Sequence, residues 1–391
     1  MDRIPRTVWA LGLVSLFMDL SSEIIHALLP LFLTTTLGVS IAMVGLIDGI
    51  AEATASISKV FSGYISDRIG RRKPLILLGY GLGALSKPLF ALAGSAPLVL
   101  GARFADRIAK GLRGAPRDAL VADVTPIAIR GRAFGLRQSL DTVGAFAGPL
   151  LAIGLMAAFA NNMRLVFWVA VIPAILAVLC VIFGVEERID HAAPKPERPP
   201  IAFADLKRLE RPFWGVVALG VIFTLARFSE AFLILKASSE GLSLTYAPTV
   251  LVAMNVVYAI GAYPAGIASD RVSARILLGW GLVCLILADL VLALVSGLAG
   301  AFAGIALWGL HMALTQGLMA NLVADQAPAE LRGSAFGLFN LATGIALLTA
   351  SVVAGLLWHR LGASSTFLAG AGYATFALLG LALNRFESEG S

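Results

Sequence analysis

Carboxylates, amines and guanidinium groups recur at helical spacing inside stretches that are otherwise apolar, and these are the residues through which the chain can do chemistry. Ser15, Asp19, Ser22, Glu23 and His26 stand at i, i+4, i+7, i+8 and i+11 and so share one helix face. Asp48, Glu52 and Lys59 share a face of the next apolar stretch. Arg103, Asp106, Arg107, Lys110, Arg113 and Arg117 fall within an arc of roughly 140°. Lys87, Arg137 and Asp141 extend the set. The second half is sparser in charge. Arg227 and Glu230 stand at i and i+3 in the seventh stretch, to pair or to face a cavity, and Asn255, Tyr258, His311, Thr315, Gln316, Asn340 and Thr343 are polar but mostly neutral.

Asp19 and Glu23 lie one turn apart, and two like charges in poorly solvated surroundings resist ionising together, which is the property a proton carrier needs. Arg107 and Lys110 would oppose or release that effect according to their distance. Glu23 stands slightly ahead of Asp19 because Ser21 and Ser22 could hydrogen-bond it, with Asp48, Glu52 and Asp141 next in line. The bland alternative is a buried ion-pair network that fixes packing and carries nothing. It suits Lys59 and Arg117, which lie near stretch ends and could snorkel. The neutral polar wall suits substrate contact or interhelical hydrogen bonds.

His26 with Asp19 and Glu23 invites a divalent metal. There are only four histidines (26, 191, 311 and 359), none at paired spacing, and the cationic neighbours would repel a bare cation, so no metal is expected. No G-x-x-x-x-G-K-[ST] loop occurs, which leaves a gradient rather than ATP as the energy source. No triad or metal-hydrolase spacing stands out, and neither an enzyme nor a cofactor is expected.

The elements that must position these groups follow from composition. With 391 residues, 58% hydrophobic and 14% charged, the chain lies outside the soluble globular range and reads as a polytopic membrane protein. Twelve apolar runs fall at roughly 8–36, 41–66, 74–94, 97–122, 131–159, 164–185, 212–236, 245–268, 275–297, 299–323, 334–358 and 363–385. The first is too long for a signal-peptide core and lacks a cleavage site, so a retained span is predicted. Cys180 and Cys284 fall inside runs, and no disulfide is expected.

The net charge of +6 reflects topology rather than a nucleic-acid partner. Arg3, Arg6, Arg68 to Lys73, Arg130, Arg132, the 186–211 segment, Arg271, Arg275, Arg332 and Arg385 fall on one face, against little more than Arg164 and Arg360 on the other. The positive-inside rule makes the first face cytoplasmic, with both termini on it.

Residues 186–211 form the single long polar segment, proline-bearing and of mixed charge, with room for a short amphipathic helix near 203–209. It divides the chain into 1–185 and 212–391. These halves echo each other: Gly63 to Arg68 recurs as Gly266 to Arg271 at an offset of 203, while Leu120 to Asp123 and Arg130 to Gly135 recur at an offset of 202. Six runs per half and a cytoplasmic connection give the repeats the same orientation.

Between the second and third runs stands Gly63-Tyr64-Ile65-Ser66-Asp67-Arg68-Ile69-Gly70-Arg71-Arg72-Lys73. Written G-x-x-x-D-R-x-G-R-R, it resembles the signature loop of the major facilitator superfamily. Its second copy, with Asp270 and Arg271, has Ser273 where the first has Gly70. Arg107-Ile108-Ala109-Lys110-Gly111 resembles the family's fourth-helix motif R-x-x-q-G, whose arginine is associated with proton coupling. Here Lys110 replaces the glutamine and Arg113 a small residue. Gly144-Ala145-Phe146-Ala147-Gly148-Pro149 resembles the fifth-helix motif linked with antiporters, with Ala152 and Ile153 in place of its glycine pair.

The resemblance implies an all-α membrane protein of two six-helix bundles related by a parallel repeat, with a cavity near the bilayer midplane and a rocking motion. It implies gating by Asp67 and the charges from Arg68 to Arg72. The expected function is proton-coupled export of a small organic or drug-like compound across a bacterial-type inner membrane, by a monomer whose partners are substrate, protons and lipid. Uptake of an organic anion or metal chelate, favoured by Arg103, Arg107, Lys110 and Arg113, is the alternative. Divalent metal transport and a receptor role stand further off.

Overall fold

Long helices account for all twelve apolar runs. The structure is a computed structural model that describes residues 4–69, 71–126, 129–187, 209, 211–269, 272–315, 318–326 and 332–383. Within these segments the side chains at 63, 64, 67, 68, 263, 269, 320, 321, 324, 325, 332–334 and 383 lie outside the described set. In chain order the helices are α1 (Arg6–His26), α2 (Ile41–Ile69), α3 (Lys73–Leu92), α4 (Ala96–Val124), α5 (Arg130–Ala158), α6 (Met163–Gly184) and α7 (Arg211–Ala226). They continue as α8 (Ala231–Ser239), α9 (Thr249–Ser269), α10 (Ala274–Leu294), α11 (Gly297–Thr315), α12 (Leu318–Gln326), α13 (Arg332–Leu361) and α14 (Ala363–Leu383). No strand occurs among the described residues.

Eleven helical segments of the described residues are long and apolar enough to cross a membrane. The twelfth run is α4, 29 residues long and thus able to span, whose charged face takes it out of the apolar class. The protein is a multi-pass membrane protein. Large apolar side chains accordingly face outward, among them Leu85, Phe183, Ile260 and Phe376, an arrangement that hydrocarbon tolerates and water does not.

Two runs are interrupted among the described residues. After α1 the chain turns at Ala27 and Leu28, resumes at Leu29–Leu31 around Pro30, and ends in a π-helical turn, Phe32–Thr36. Thr34 donates to the Pro30 carbonyl at 3.0 Å and Thr35 to that of Leu31 at 2.6 Å. The seventh run breaks between α7 and α8, so Arg227 and Glu230 do not share the helix face that their i, i+3 spacing predicts. The tenth run holds α11 and α12, with residues 316 and 317 between them outside the described set.

The chain divides into two compact units. Unit one holds Met1–Val39, Ile50–Pro200 and Leu244–Thr249; unit two holds Ser40–Gly49, Ile201–Ser243 and Val250–Ser391. In unit one α1 packs on α5 and α6, and α3 on α4 and α6. Val8, Leu11, Val14, Met18, Ile76, Tyr80, Leu120 and Val181 make a core among these helices. In unit two α10 packs on α11 and α14, while α7 packs on α13 and α14. Phe213, Val216, Val217 and Val323 form part of its core.

Candidate functional site

Because α4 carries its charges on one arc, packing that arc against α1 and α3 collects them inside unit one. Arg103, Asp106, Arg107 and Arg113 are all less than 5% exposed. Lys87 of α3 lies 2.7 Å from Asp106 and donates to Ser22 Oγ at 2.9 Å. Arg107 bridges Asp106 at 3.5 Å and Glu52 at 3.3 Å, and Arg103 reaches Glu52 at 3.7 Å. Arg113 lies over the Tyr80 ring at 4.8 Å. Its Nη1 makes no hydrogen bond among the described residues and stands against Gly83, where a Cβ would come within 3.1 Å.

A second knot joins α1, α4 and α5. Arg117 donates to Ser15 Oγ at 2.8 Å and to Asp118 at 3.1 Å, and lies 3.8 Å from Asp141. Arg117 is therefore held inside the bundle rather than snorkelling. Arg137 sits 3.8 Å from both Asp118 and Asp141 and donates to Gln138 at 2.6 Å. Asp141 and Asp19 face each other where α5 packs on α1.

Glu23 approaches His26 Nδ1 at 3.4 Å. The two serines invoked for Glu23 are engaged elsewhere: Ser21 donates to the Ala170 carbonyl at 2.6 Å, and Ser22 accepts from Lys87. Lys110 is exposed and makes no hydrogen bond or ion pair among the described residues. Lys59 is exposed. Asp118, which sequence reasoning passed over, completes the second knot; its adjacency to Arg117 was the available signal.

At one end of unit one the signature loop meets its partners. Arg72 Nε donates to Asp123 at 2.5 Å and Arg72 Nη1 to Ser66 at 3.1 Å. Glu187 accepts from the backbone N–H groups of Arg72 and Lys73, capping the N-terminus of α3. Arg71 is exposed. Gly70, Asp270 and Arg271 lie outside the described residues, as do the side chains of Asp67 and Arg68 and the Cα face of Gly63.

Unit two holds the more neutral set. Ser229, in the break between α7 and α8, donates to Asp48 at 2.6 Å and accepts from the Ala231 N–H at 3.1 Å. Arg227 lies over the Phe223 ring at 6.0 Å. His311 is buried with Nδ1 at 2.8 Å from the Gly281 carbonyl. Glu230, Asn255, Tyr258 and Asn340 are half-buried, Thr343 bonds back to the Phe339 carbonyl, and Gln316 lies outside the described residues. Asp289 of α10, also passed over, is fully buried. No group of three or more metal-binding side chains occurs among the described residues.

Known proteins resemble this chain in sequence and fold. The family model described as Major Facilitator Superfamily matches residues 11–253 and 231–390. An uncharacterized MFS-type transporter of Methanocaldococcus jannaschii is 30% identical over 94% of this chain and 92% of its own. The multidrug resistance protein MdtH of Cronobacter sakazakii is 32% identical over 41% of this chain and 38% of its own. Among solved structures, the nucleoside transporter NupG matches with a TM-score of 0.80 at 13% identity, covering 96% of this chain and 99% of that one. The human organic anion transporter MFSD10 matches with a TM-score of 0.70 at 18% identity, covering 97% and 100%. Motifs, twelve helical runs, the internal repeat and these likenesses agree, and the chain belongs to the Major Facilitator Superfamily of membrane transporters.

Proposed function

We propose that the protein is a proton-coupled secondary transporter that works by alternating access and exports a small organic compound in exchange for protons. The observation that supports this reading is the carboxyl pair of Asp19 and Asp141 facing each other where α1 packs on α5, with Arg117 and Arg137 beside Asp141. Protonated, the pair is neutral on one side and holds α1 to α5; deprotonated, it repels itself and leans on the arginines. Binding a proton thus changes which helices are tied together, which is the differential contact that coupling requires. Glu23 is tied to His26 and Glu52 to two arginines, which makes them supporting rather than carrying groups.

The Gly144 to Pro149 stretch and the likeness to MdtH over part of the chain support export. The bias of basic residues supports a bacterial inner membrane with both termini cytoplasmic. In this reading residues 186–211 connect the two bundles, and Asp67, Arg68, Arg71 and Arg72 gate the cytoplasmic side. The protein acts as a monomer on a small-molecule substrate.

A second reading, movement of an organic anion, is favoured by Lys110, an exposed ammonium without an ion pair among the described residues. Proteoliposomes offered ethidium or fluorescein under an imposed proton gradient test both. Asp19→Asn and Asp141→Asn are expected to lose gradient-driven accumulation while retaining counterflow exchange, since exchange moves no net proton. Full proton-driven transport by both variants would overturn the assignment. Fluorescein transport that Lys110→Gln abolishes would favour the anion reading.

A further inference from the structure

Asp289 is 0% exposed, in the C-terminal third of the apolar helix α10, and neither of its carboxyl oxygens has a hydrogen-bond partner among the described residues. Such a group cannot be held as a carboxylate, because an unpaired buried charge costs far more than packing returns. Even as a neutral acid it leaves a donor and an acceptor unsatisfied, so its polarity contributes nothing to the fold in this conformation. A buried polar group without a structural return calls for a role in another state.

The surroundings say what that role is. Gly370 of α14 makes room for the carboxyl: a Cβ there would meet Asp289 Oδ2 at 2.5 Å and the Phe228 ring at 2.9 Å. Asp289 and Phe228 therefore converge on the same glycine. Phe228 stands in the break between α7 and α8 and packs edge-on against Phe232 at 5.5 Å and Phe367 at 5.6 Å, and at a tilt against Trp308 at 5.4 Å. Its neighbour Ser229 is the residue that holds Asp48. Trp308, in the same aromatic cluster, has a buried indole N–H without a hydrogen-bond partner among the described residues.

We propose that Asp289 is a proton-binding site of unit two, and that its proton keeps Phe228 seated and the break between α7 and α8 closed. Loss of the proton places a charge against an aromatic plug. The carboxylate then needs water or a donor such as the Trp308 N–H, and either requires Phe228 to leave. Unseating Phe228 strains the adjoining Ser229 and its bond to Asp48. Among the described residues, the titratable groups on the elements packed against α10 include His311 of α11 and Tyr373 of α14, with Arg227 and Glu230 at the break and Asp48 bonded to Ser229. None of them forms a hydrogen bond or ion pair with Asp289. The site is independent of the Asp19 and Asp141 pair, so it would add a second proton to the cycle.

The test uses the full chain in lipid nanodiscs and needs no substrate. Infrared titration of the wild type should show a protonated-carboxyl stretch at neutral pH that Asp289→Asn removes and Asp19→Asn leaves in place. In a background with Cys180 and Cys284 replaced by Ala, a cysteine introduced by Ala231→Cys should label severalfold faster with a membrane-permeant maleimide as pH rises, beyond the reagent's own response. Asp289→Asn should abolish that extra acceleration. Gly370→Ala, which leaves Asp289 in place, should shift the infrared band and its titration, so the proposal stays testable if Asp289→Asn folds poorly. An infrared spectrum unchanged by both substitutions, or labelling with the same pH response in Asp289→Asn, would overturn it.

Discussion

Lys87 and Asp106, 2.7 Å apart and each almost fully buried, give the sharpest test of how the charges in unit one are held. Removing one partner of such a pair strands the other, at a cost of about 3–5 kcal/mol, whereas replacing both with apolar groups of similar size is often neutral. Thermal unfolding in detergent should therefore rank Asp106→Leu and Lys87→Met each well below the wild type, with the double variant above either. Equal losses in single and double variants would mean that Ser22 and Arg107 hold the two groups separately. The arc on α4 was legible, because helical periodicity fixes which residues share a face. The pairing was not, because it depends on helix rotation and tilt that spacing leaves free. So sequence reasoning favours Glu23 on the strength of two serines that the structure engages elsewhere, and it singles out neither Asp118 nor Asp289. For Asp289 the signal was present: a lone acid in an apolar span is a functional hypothesis by itself.

The helices meet through their small residues, and α5 approaches α1 closely in this way. A Cβ at Gly144 would meet the Leu16 carbonyl oxygen at 2.4 Å, and one at Gly148 would meet Glu23 Cβ at 2.6 Å, whereas nothing lies within 4 Å of the same position at Gly135. Gly144→Ala must therefore push two backbones apart, at a cost of about 1–3 kcal/mol, while Gly135→Ala should leave the melting temperature nearly unchanged. A second element-level contact clamps the end of α8. Lys236 pairs with Glu240, which also accepts from the Gly297 N–H at 2.5 Å, where Gly297 adopts a φ of +85° that favours glycine. The Lys236 ammonium holds the Glu240 carboxyl below the usual glutamate range. Its contribution is thus present at neutral pH and fades as pH falls through the lowered value. Glu240→Gln should lower the melting temperature slightly at pH 7 and make no difference in strong acid; an equal deficit at both would exclude the charge. The break before α8 was illegible for a related reason. No proline or glycine marks it, and it is fixed by the Ser229 hydroxyl on the Ala231 N–H and by Phe228 among three aromatic rings.

At the scale of the chain, the repeat and the run lengths made the family legible, since both are properties of sequence that survive ignorance of packing. Orientation rests on the same kind of evidence, and one end of unit one supplies a geometric counterpart. Arg72 before α3, Asp123 near the end of α4 and Glu187 after α6 meet there, joined by the Arg72 to Asp123 pair and the Glu187 cap, with Lys73 Nζ donating to the Val185 carbonyl at 2.6 Å. Three chain segments separated by whole spans thus gather on one face, and it is the face that the lysines and arginines favour. If the positive-inside rule governs this chain, that face is cytoplasmic. Alkaline-phosphatase and fluorescent-protein fusions placed after Arg71 and within 188–208 should then report the cytoplasm, and fusions after Gly38 the outside. Because Arg72 and Glu187 are tied to each other, the first two fusions cannot fall on opposite sides of a folded protein. Agreement of those two on the outside would invert the orientation and with it the direction assigned to the proton at Asp19 and Asp141, while leaving the pairing itself intact.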